Sequence, residues 1–284
     1  MVGVAPGRLS TGRDGRGPLT NVPTLDALGV IRRLEALARD TSGAGALVFD
    51  ADGTLWTCDV GVDVFVDALS RNLLRDEART ALLREVQAHD LAGNVDVEAL
   101  DANALGKHLQ RAFELGVYAE KPATEMQVWA YAGLTEDELR HHTRDTLRRS
   151  QLHTRIHQPL LPVLIWARDL GLRTVIVSAS PQIVVEEAAR ALDFLPTDIV
   201  AGRTTRVGAR LGSELEEPLP YGVAKADAGK RLLGDAAWLA TFGDSAFDLA
   251  MLSQAKLPVL VRPKPELLSE IGALPGAVRL SDGA

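Results

Sequence analysis

Short apolar runs, three of them closing on a polar side chain of interest, constrain this chain more than any other feature. They are ALVFD (46–50), VIVS (175–178) and LATFGD (239–244), with PVLVR (258–262) as a further strand. Each is too short for a buried helix and suits a strand covered on both faces. DIVAG (198–202) has the same character. Helical patterns stand around these later runs: PLLPVLIWARDLG, SPQIVVEEAARAL, AKADAGKRLLG, SAFDLAMLSQA and PELLSEIGAL. Strands alternating with helices build parallel units, so the pattern predicts an α/β core with a Rossmann-like parallel sheet. GARLGSELEEPL (208–219) is expected to add a hairpin.

Between the first and second runs the alternation stops. Residues 61–157 have few β-branched runs and read as five helices: GVDVFVDALSRNLL, DEARTALLREVQAHDL, DVEALDANALGKHLQRAFEL, KPATEMQVWAYAGL and TEDELRHHTRDTLRRSQL. Thr135 with Glu138 forms a capping signature. The expected division is a core of residues 24–58 and 159–284, with an all-helical insert at 59–158. From Thr24 to Asp40, the residues Leu25, Leu28, Ile31, Leu34 and Leu37 follow helical spacing, with Thr24 as the cap. Residues 1–23 are rich in Gly, Pro and Arg, lack the apolar segment of a secretory signal, and are expected to be a flexible tail. The 284 residues are 46% apolar, enough for a sizeable core. No apolar run approaches a membrane span. A net charge of −7 argues against a nucleic-acid partner. Cys58 is the sole cysteine, which excludes an intrachain disulfide and fits a cytoplasmic protein.

In an open parallel sheet, ligands bind at the C-terminal ends of the strands. The groups found there are therefore candidate site residues. Asp50 and Asp52 stand two apart, and on a strand they share a face. Two acids can divide the labour of nucleophile and general acid/base. Gly53 relaxes the following turn and Thr54 helps to fix it. By itself this D-x-D-G is also the pattern of a solvated turn. Asp244 and Asp248 follow LATF, and together with Asp50 they make an all-oxygen site that suits Mg²⁺. Either acid also suits a helix N-cap. Ser178 ends VIVS, where its hydroxyl and the backbone N–H of Ala179 can hold a phosphate oxygen. Lys225, near the start of a helix, can neutralise phosphate and an attacking carboxylate. Lys230 lies further along that helix and points to another side.

The order D-x-D-G-T, apolar-Ser, Lys, G-D-S-x-x-D resembles the haloacid dehalogenase superfamily of phosphohydrolases, over residues 44–60 and 159–284. The resemblance implies Asp50 as the nucleophile that forms an aspartyl-phosphate and Asp52 as the acid/base. It implies phosphate binding by Ser178 and Lys225, with Gly53, Thr54 and Ala179 beside them. It implies Mg²⁺ held by Asp50, the Asp52 backbone carbonyl and Asp244, with Asp248 close by or acting through water. The partner so implied is a small-molecule phosphomonoester. A phosphotransferase or phosphomutase would use the same intermediate, and the sequence leaves that alternative open. A non-catalytic binding module is a third reading, against which the four intact stations argue.

The insert is similar in position to the C1-type cap. With the SAS around Ser178 and the turn before Lys225, the chain looks most like the phosphoserine phosphatase-like subgroup. A cap of this bulk suits a small substrate shielded from water. Asp59, nine residues after Asp50, stands where phosphoserine phosphatases place an acid for the substrate amine. It equally suits an N-cap for the helix beginning near Gly61. The subgroup's cap arginine has no clear counterpart, Lys107 and Arg111 lying in the right general region, and D-G-T replaces the usual D-S-T. The expected substrate is therefore an amine-bearing phosphomonoester: phosphoserine-, phosphoethanolamine-, phosphocholine- or histidinol phosphate-like, with phosphoserine itself disfavoured. Trp56, with Trp129 of the cap, can enclose a quaternary ammonium. His153 and His157 have the four-residue spacing of a helix-borne metal pair but lack a third ligand nearby. His141, His142, Cys58 and the run RDTLRRSQLHTR are expected to be packing or solvated surface.

Overall fold

The computed structural model describes residues 22–41 and 44–283. The chain begins with β1 (Thr24–Leu25), α1 (Ala27–Arg39) and β2 (Gly45–Phe49). A helical insert follows: α2 (Val60–Ser70), α3 (Asp76–Ala88), α4 (Ala102–Glu114), α5 (Glu120–Trp129), α6 (Glu136–Arg149) and α7 (Leu152–Arg155). The alternation then resumes with α8 (Leu161–Asp169), β3 (Arg173–Pro181), α9 (Gln182–Ala189) and β4 (Ile199–Gly202). A hairpin of β5 (Thr204–Val207) and β6 (Arg210–Leu215) comes next. The chain ends through α10 (Val223–Leu233), β7 (Ala237–Gly243), α11 (Leu249–Leu252), β8 (Leu257–Val261), α12 (Pro265–Ser269) and β9 (Val278–Leu280).

Seven strands form one parallel sheet in the order β1-β9-β8-β7-β2-β3-β4. From β2 the chain builds outward to β3 and β4, then crosses back to β7 on the other side of β2. The strand order reverses between β2 and β7, and such a switch point opens a crevice at the strand ends. Side chains alternate across the sheet. Leu47, Phe49 and Ile176 join Leu34, Leu164 and Val185 on one face. Ala46, Val48, Val175 and Val177 meet Ala228 and Leu233 of α10 and Met251 of α11 on the other. Helices on both faces explain why the runs are apolar throughout. Phe49 stacks on Phe242 of the neighbouring strand, with ring centroids 4.5 Å apart.

The structure departs from expectation at the N-terminal end. Thr24 does not cap a helix; Thr24 and Leu25 form β1 beside β9, and Asp26 caps α1 by accepting from Gly29 N at 2.7 Å. The Pro23 carbonyl accepts from Arg279 N at 2.9 Å, so the last residues of the expected tail belong to the sheet edge. Residues 1–21 of that tail lie outside the described residues.

All five expected insert helices are present, with α7 as an addition. The segment before α4 is a 3₁₀ turn at Val97–Ala99, and Asp101 caps α4. Entry to and exit from the insert run side by side. Thr57 N donates to Arg155 O at 2.8 Å and His157 N to Leu55 O at 2.9 Å, around the antiparallel bridge of Trp56 with Ile156. The β5–β6 hairpin joins the insert instead of the main sheet, through Leu211 N to Leu134 O at 2.8 Å and Gly133 N to Leu211 O at 2.9 Å. On the same side, Arg140 of α6 reaches Glu186 and Glu187 of α9 at 2.5 and 3.2 Å.

Candidate active site

The β2 ladder extends one residue past the strand, because Asp50 N donates to Phe242 O at 2.9 Å. That bond aims Asp50 at the switch point, on the α10 side of the sheet. Lys225, in the first turn of α10, points back. Its Nζ lies 2.5 Å from Asp50 Oδ1 and 2.5 Å from Asp248 Oδ1. Burial disfavours the ammonium, but Asp248 and Asp50 outweigh it and hold Lys225 above the ordinary lysine range. Burial and then the charge of Asp248 push Asp50 well above the usual carboxylate value, while Lys225 pulls it down. Lys230 lies exposed further along the helix.

Asp248 is fully buried, and both its oxygens are occupied. Oδ1 takes Lys225; Oδ2 accepts from Asp244 N at 3.1 Å and from Ser245 N and Oγ at 3.0 Å each. It therefore organises the loop after β7 more than it offers a free ligand atom. Asp244 meets Lys264 Nζ at 3.0 Å through Oδ2. Gly53 makes the close approach of the two loops possible. It has φ 82°, and a Cβ there would lie 2.1 Å from Asp244 Oδ2.

Oxygens of Asp50, Asp244 and Asp248 lie within 4.8 Å of one another. Four acids, counting Asp52, face two lysines, Lys225 and Lys264, so the carboxylates are in excess. Burial, followed by Asp248, also raises Asp244. An oxygen-only donor set with surplus negative charge fits a hard divalent cation.

Asp52 does not share a strand face with Asp50, because β2 ends at Phe49 and the chain turns. Its Oδ1 accepts from Trp56 Nε1 at 2.7 Å and Val60 N at 2.8 Å, and its Oδ2 from Ser180 Oγ at 2.6 Å. Three donors thus hold the side chain in place. Burial raises the Asp52 carboxyl, against the pull of these donors. Both acids still line one cavity of about 90 Å³, together with Asp59, Ser178, Ala179 and Lys225. Ser178 Oγ is fixed by Ser180 N at 3.1 Å.

Two expected contacts are corrected. Trp56 is fully buried with its indole N–H on Asp52, so it cannot wall an ammonium; it orients the acid. Thr54 is also fully buried, and its hydroxyl has no hydrogen-bond partner among the described residues. Its backbone N–H donates to Ala51 O at 3.2 Å, so it serves the turn and not a phosphate.

Asp59 caps α2 by accepting from Val62 N at 2.8 Å, one of the two roles expected of it, and it also borders the cavity. The surrounding protein and then Asp52 raise its carboxyl.

The other candidates lie elsewhere. Lys107 bonds Asn72, Arg111 pairs with Glu114, and neither borders the cavity, nor does Trp129. His153 is exposed on α7 while His157 is buried beyond its end, so they share no helix face. His142 is buried with its ring 3.1 Å from Val64 O. Arg149 and Arg155 pair with Asp67 and Asp63 of α2. Burial pushes the Cys58 thiol up to about 12, which removes it as a nucleophile.

The sequence reading missed Lys264, Ser180, Glu120 and the Tyr221–Phe247 ring pair, whose centroids are 4.4 Å apart. Lys264 lies just past the end of β8, and Ser180 is two residues beyond Ser178. A stricter use of the strand-end rule would have found both. Glu120 and the two rings come from separate segments and carry no local signal.

A family model for haloacid dehalogenase-like hydrolases matches residues 47–253. Among solved structures, a conserved functionally unknown protein from Anaerococcus prevotii DSM 20548 aligns with a TM-score of 0.64 at 11% identity, over 93% of this chain and 97% of that one. A protein of unknown function from Bordetella pertussis Tohama I gives 0.60 at 18% identity, over 85% and 100%. Cytosolic 5′-nucleotidase IIIB bound to cytidine gives 0.53 at 12% identity, over 88% and 84%. These likenesses are of fold. A comparison with curated proteins finds no match.

Proposed function

This chain belongs to the haloacid dehalogenase-like hydrolases, and we propose that it is a Mg²⁺-dependent phosphatase acting on a small, amine-bearing phosphomonoester through an aspartyl-phosphate. The observation that carries this reading is the convergence of Asp50, Asp244, Asp248 and Lys225 at the switch point.

Asp50 attacks phosphorus, forming an Oδ–P bond as the P–O bond to the alcohol breaks. Lys225 holds Asp50 and offsets the like-charge repulsion between carboxylate and phosphate. Asp52 donates a proton to the departing oxygen, then takes one from the water that opens the acyl phosphate. Trp56, Val60 and Ser180 keep that carboxyl at a fixed angle, while burial favours its protonated form. Ser178 and the backbone at Ala179 border the space for phosphate oxygens. Asp50, Asp244 and the Asp52 carbonyl would hold the Mg²⁺, which neutralises the developing charge on phosphate. Asp59 at the cavity edge supports a cationic amine on the leaving group.

Phosphate release from a panel of phosphomonoesters, with Mg²⁺ or chelator, tests the reading. Hydrolysis should require Mg²⁺, favour amine-bearing esters and fall at least about a thousandfold in Asp50→Asn. Activity that survives Asp50→Asn would rule out the aspartyl-phosphate.

A further inference from the structure

Buried polar atoms are nearly always paired, and the exceptions gather where function opposes stability. Six buried side-chain atoms have no hydrogen-bond partner among the described residues, and three of them belong to Thr54 and His157. Thr54 lies in the catalytic turn between Asp52 and Trp56. His157 lies opposite that turn, on the chain returning from the insert, where its backbone N–H donates to Leu55 O at 2.9 Å. Thr54 is fully buried and His157 is 5% exposed. The proposed chemistry uses neither side chain.

The His157 ring stands between two acceptors. The Thr54 carbonyl faces it outside hydrogen-bond geometry, and Asp282 Oδ1, in the segment after β9, lies 3.6 Å from Nε2. Burial above all holds the ring below the ordinary histidine range, against the pull of Thr54 and Asp282. A neutral ring has one N–H to offer two acceptors. Contacts that are loose in a substrate-free site tighten as the site closes. The ring thereby joins the catalytic turn, the hinge of the insert and the C-terminal segment. From there the path to the chemistry is short. Trp56 follows Leu55, bridges Ile156 and donates its indole N–H to Asp52 at 2.7 Å.

We propose that His157 is a positioning residue for general acid catalysis. Its ring braces the turn between Thr54 and Asp282 as the insert closes, and so fixes the angle at which Asp52 meets the leaving oxygen. A residue needed only for packing would be better apolar here, because deleting two unpaired nitrogens loses no hydrogen bond and removes the cost of burying them. The inference rests on the phosphatase reading and adds to it a residue outside the cavity.

p-Nitrophenolate departs without a proton, whereas an alkoxide needs one. The kcat/KM for phosphoethanolamine, or for whichever alkyl ester is cleaved, divided by that for p-nitrophenyl phosphate therefore reads the acid step. Taken on one preparation, this ratio does not depend on the fraction folded. His157→Phe should lower it about fivefold or more while the melting temperature holds or rises. His157→Gln, which returns an N–H near the place of Nε2, should recover part of it. Asp282→Ala, at a side chain 59% exposed, should lower it about twofold. A ratio unmoved in His157→Phe, or in Asp282→Ala if the first variant does not fold, overturns the proposal. If the wild type cleaves no alkyl phosphate with Mg²⁺, the phosphatase reading has failed. Hydrogen exchange at the Gly53 and Thr57 amides, bonded to Cys58 O and Arg155 O, then decides whether the ring positions the turn. Faster exchange in His157→Phe at an unchanged melting temperature supports it, and equal exchange overturns it.

Discussion

Lys225 and Arg148 are both basic residues paired with acids, yet they do different work. Lys225 touches two carboxylates at 2.5 Å with its side chain 5% exposed. Arg148, on α6 of the insert, meets Asp145 at 3.0 Å with its side chain 78% exposed. Water screens the second pair, which contributes little to stability. The first is cut off from water, so each member depends on the others to remain charged. The contrast extends to the two regions. The sheet edge concentrates buried charge that a fold alone does not require, whereas the insert's ion pairs mostly lie on helix surfaces. Burying charge opposes stability, and its concentration at one strand edge argues for chemistry there.

The sharpest way to break this comparison is Lys225→Met. It leaves Asp50 and Asp248 buried without their shared cation. Stability should fall by about 3–5 kcal/mol in urea unfolding, and phosphate release by about a hundredfold or more. An unchanged midpoint would mean that the two acids are neutral in the folded protein.

Trp56→Phe keeps an aromatic ring but removes the donor to Asp52. We expect turnover to fall about tenfold and stability by about 1 kcal/mol. A loss of stability without loss of turnover would reduce Trp56 to packing.

Among the insert's buried titratable groups is His142, faced by Asp67, Arg71 and Arg149. Burial first of all lowers its pKa below 6.5, although the Val64 carbonyl opposes this. The contribution of the neutral ring is therefore present above pH 6.5 and is lost as pH falls through the lower folded value. Thermal melts between pH 7 and 5 should fall more steeply for wild type than for His142→Gln. Parallel curves would place the acid sensitivity elsewhere.

The smallest effect belongs to Arg148→Ala. It should change stability by less than about 0.5 kcal/mol and leave activity unaltered. A larger change would show that the insert's surface pairs act together.

Asp50, Lys225 and Asp244 could be placed from the sequence because their positions depend on local order. Each follows a strand end or opens a helix, and a parallel sheet gathers such points along one edge. The same argument misjudged Asp52. Alternation applies only within a strand, and β2 stops at Phe49. Trp56 was misread because an indole beside a catalytic loop looks the same in sequence whether its ring faces substrate or its N–H faces Asp52. Thr24 was taken for a helix cap because β1 is two residues long, and only its pairing with β9 makes it a strand.

Local sequence sufficed for the parallel α/β core, for the helical insert after the strand that became β2, and for the acids and lysine at the switch point. Hydrophobic periodicity and strand ends are short-range signals that survive without coordinates. Tertiary structure alone decided which partners hold Asp52, that Asp248 ties a loop, and that Lys264 borders the same space as Asp59. Those relations join segments far apart in the chain, and packing between loops sets them, with no pattern inside any one segment to announce them.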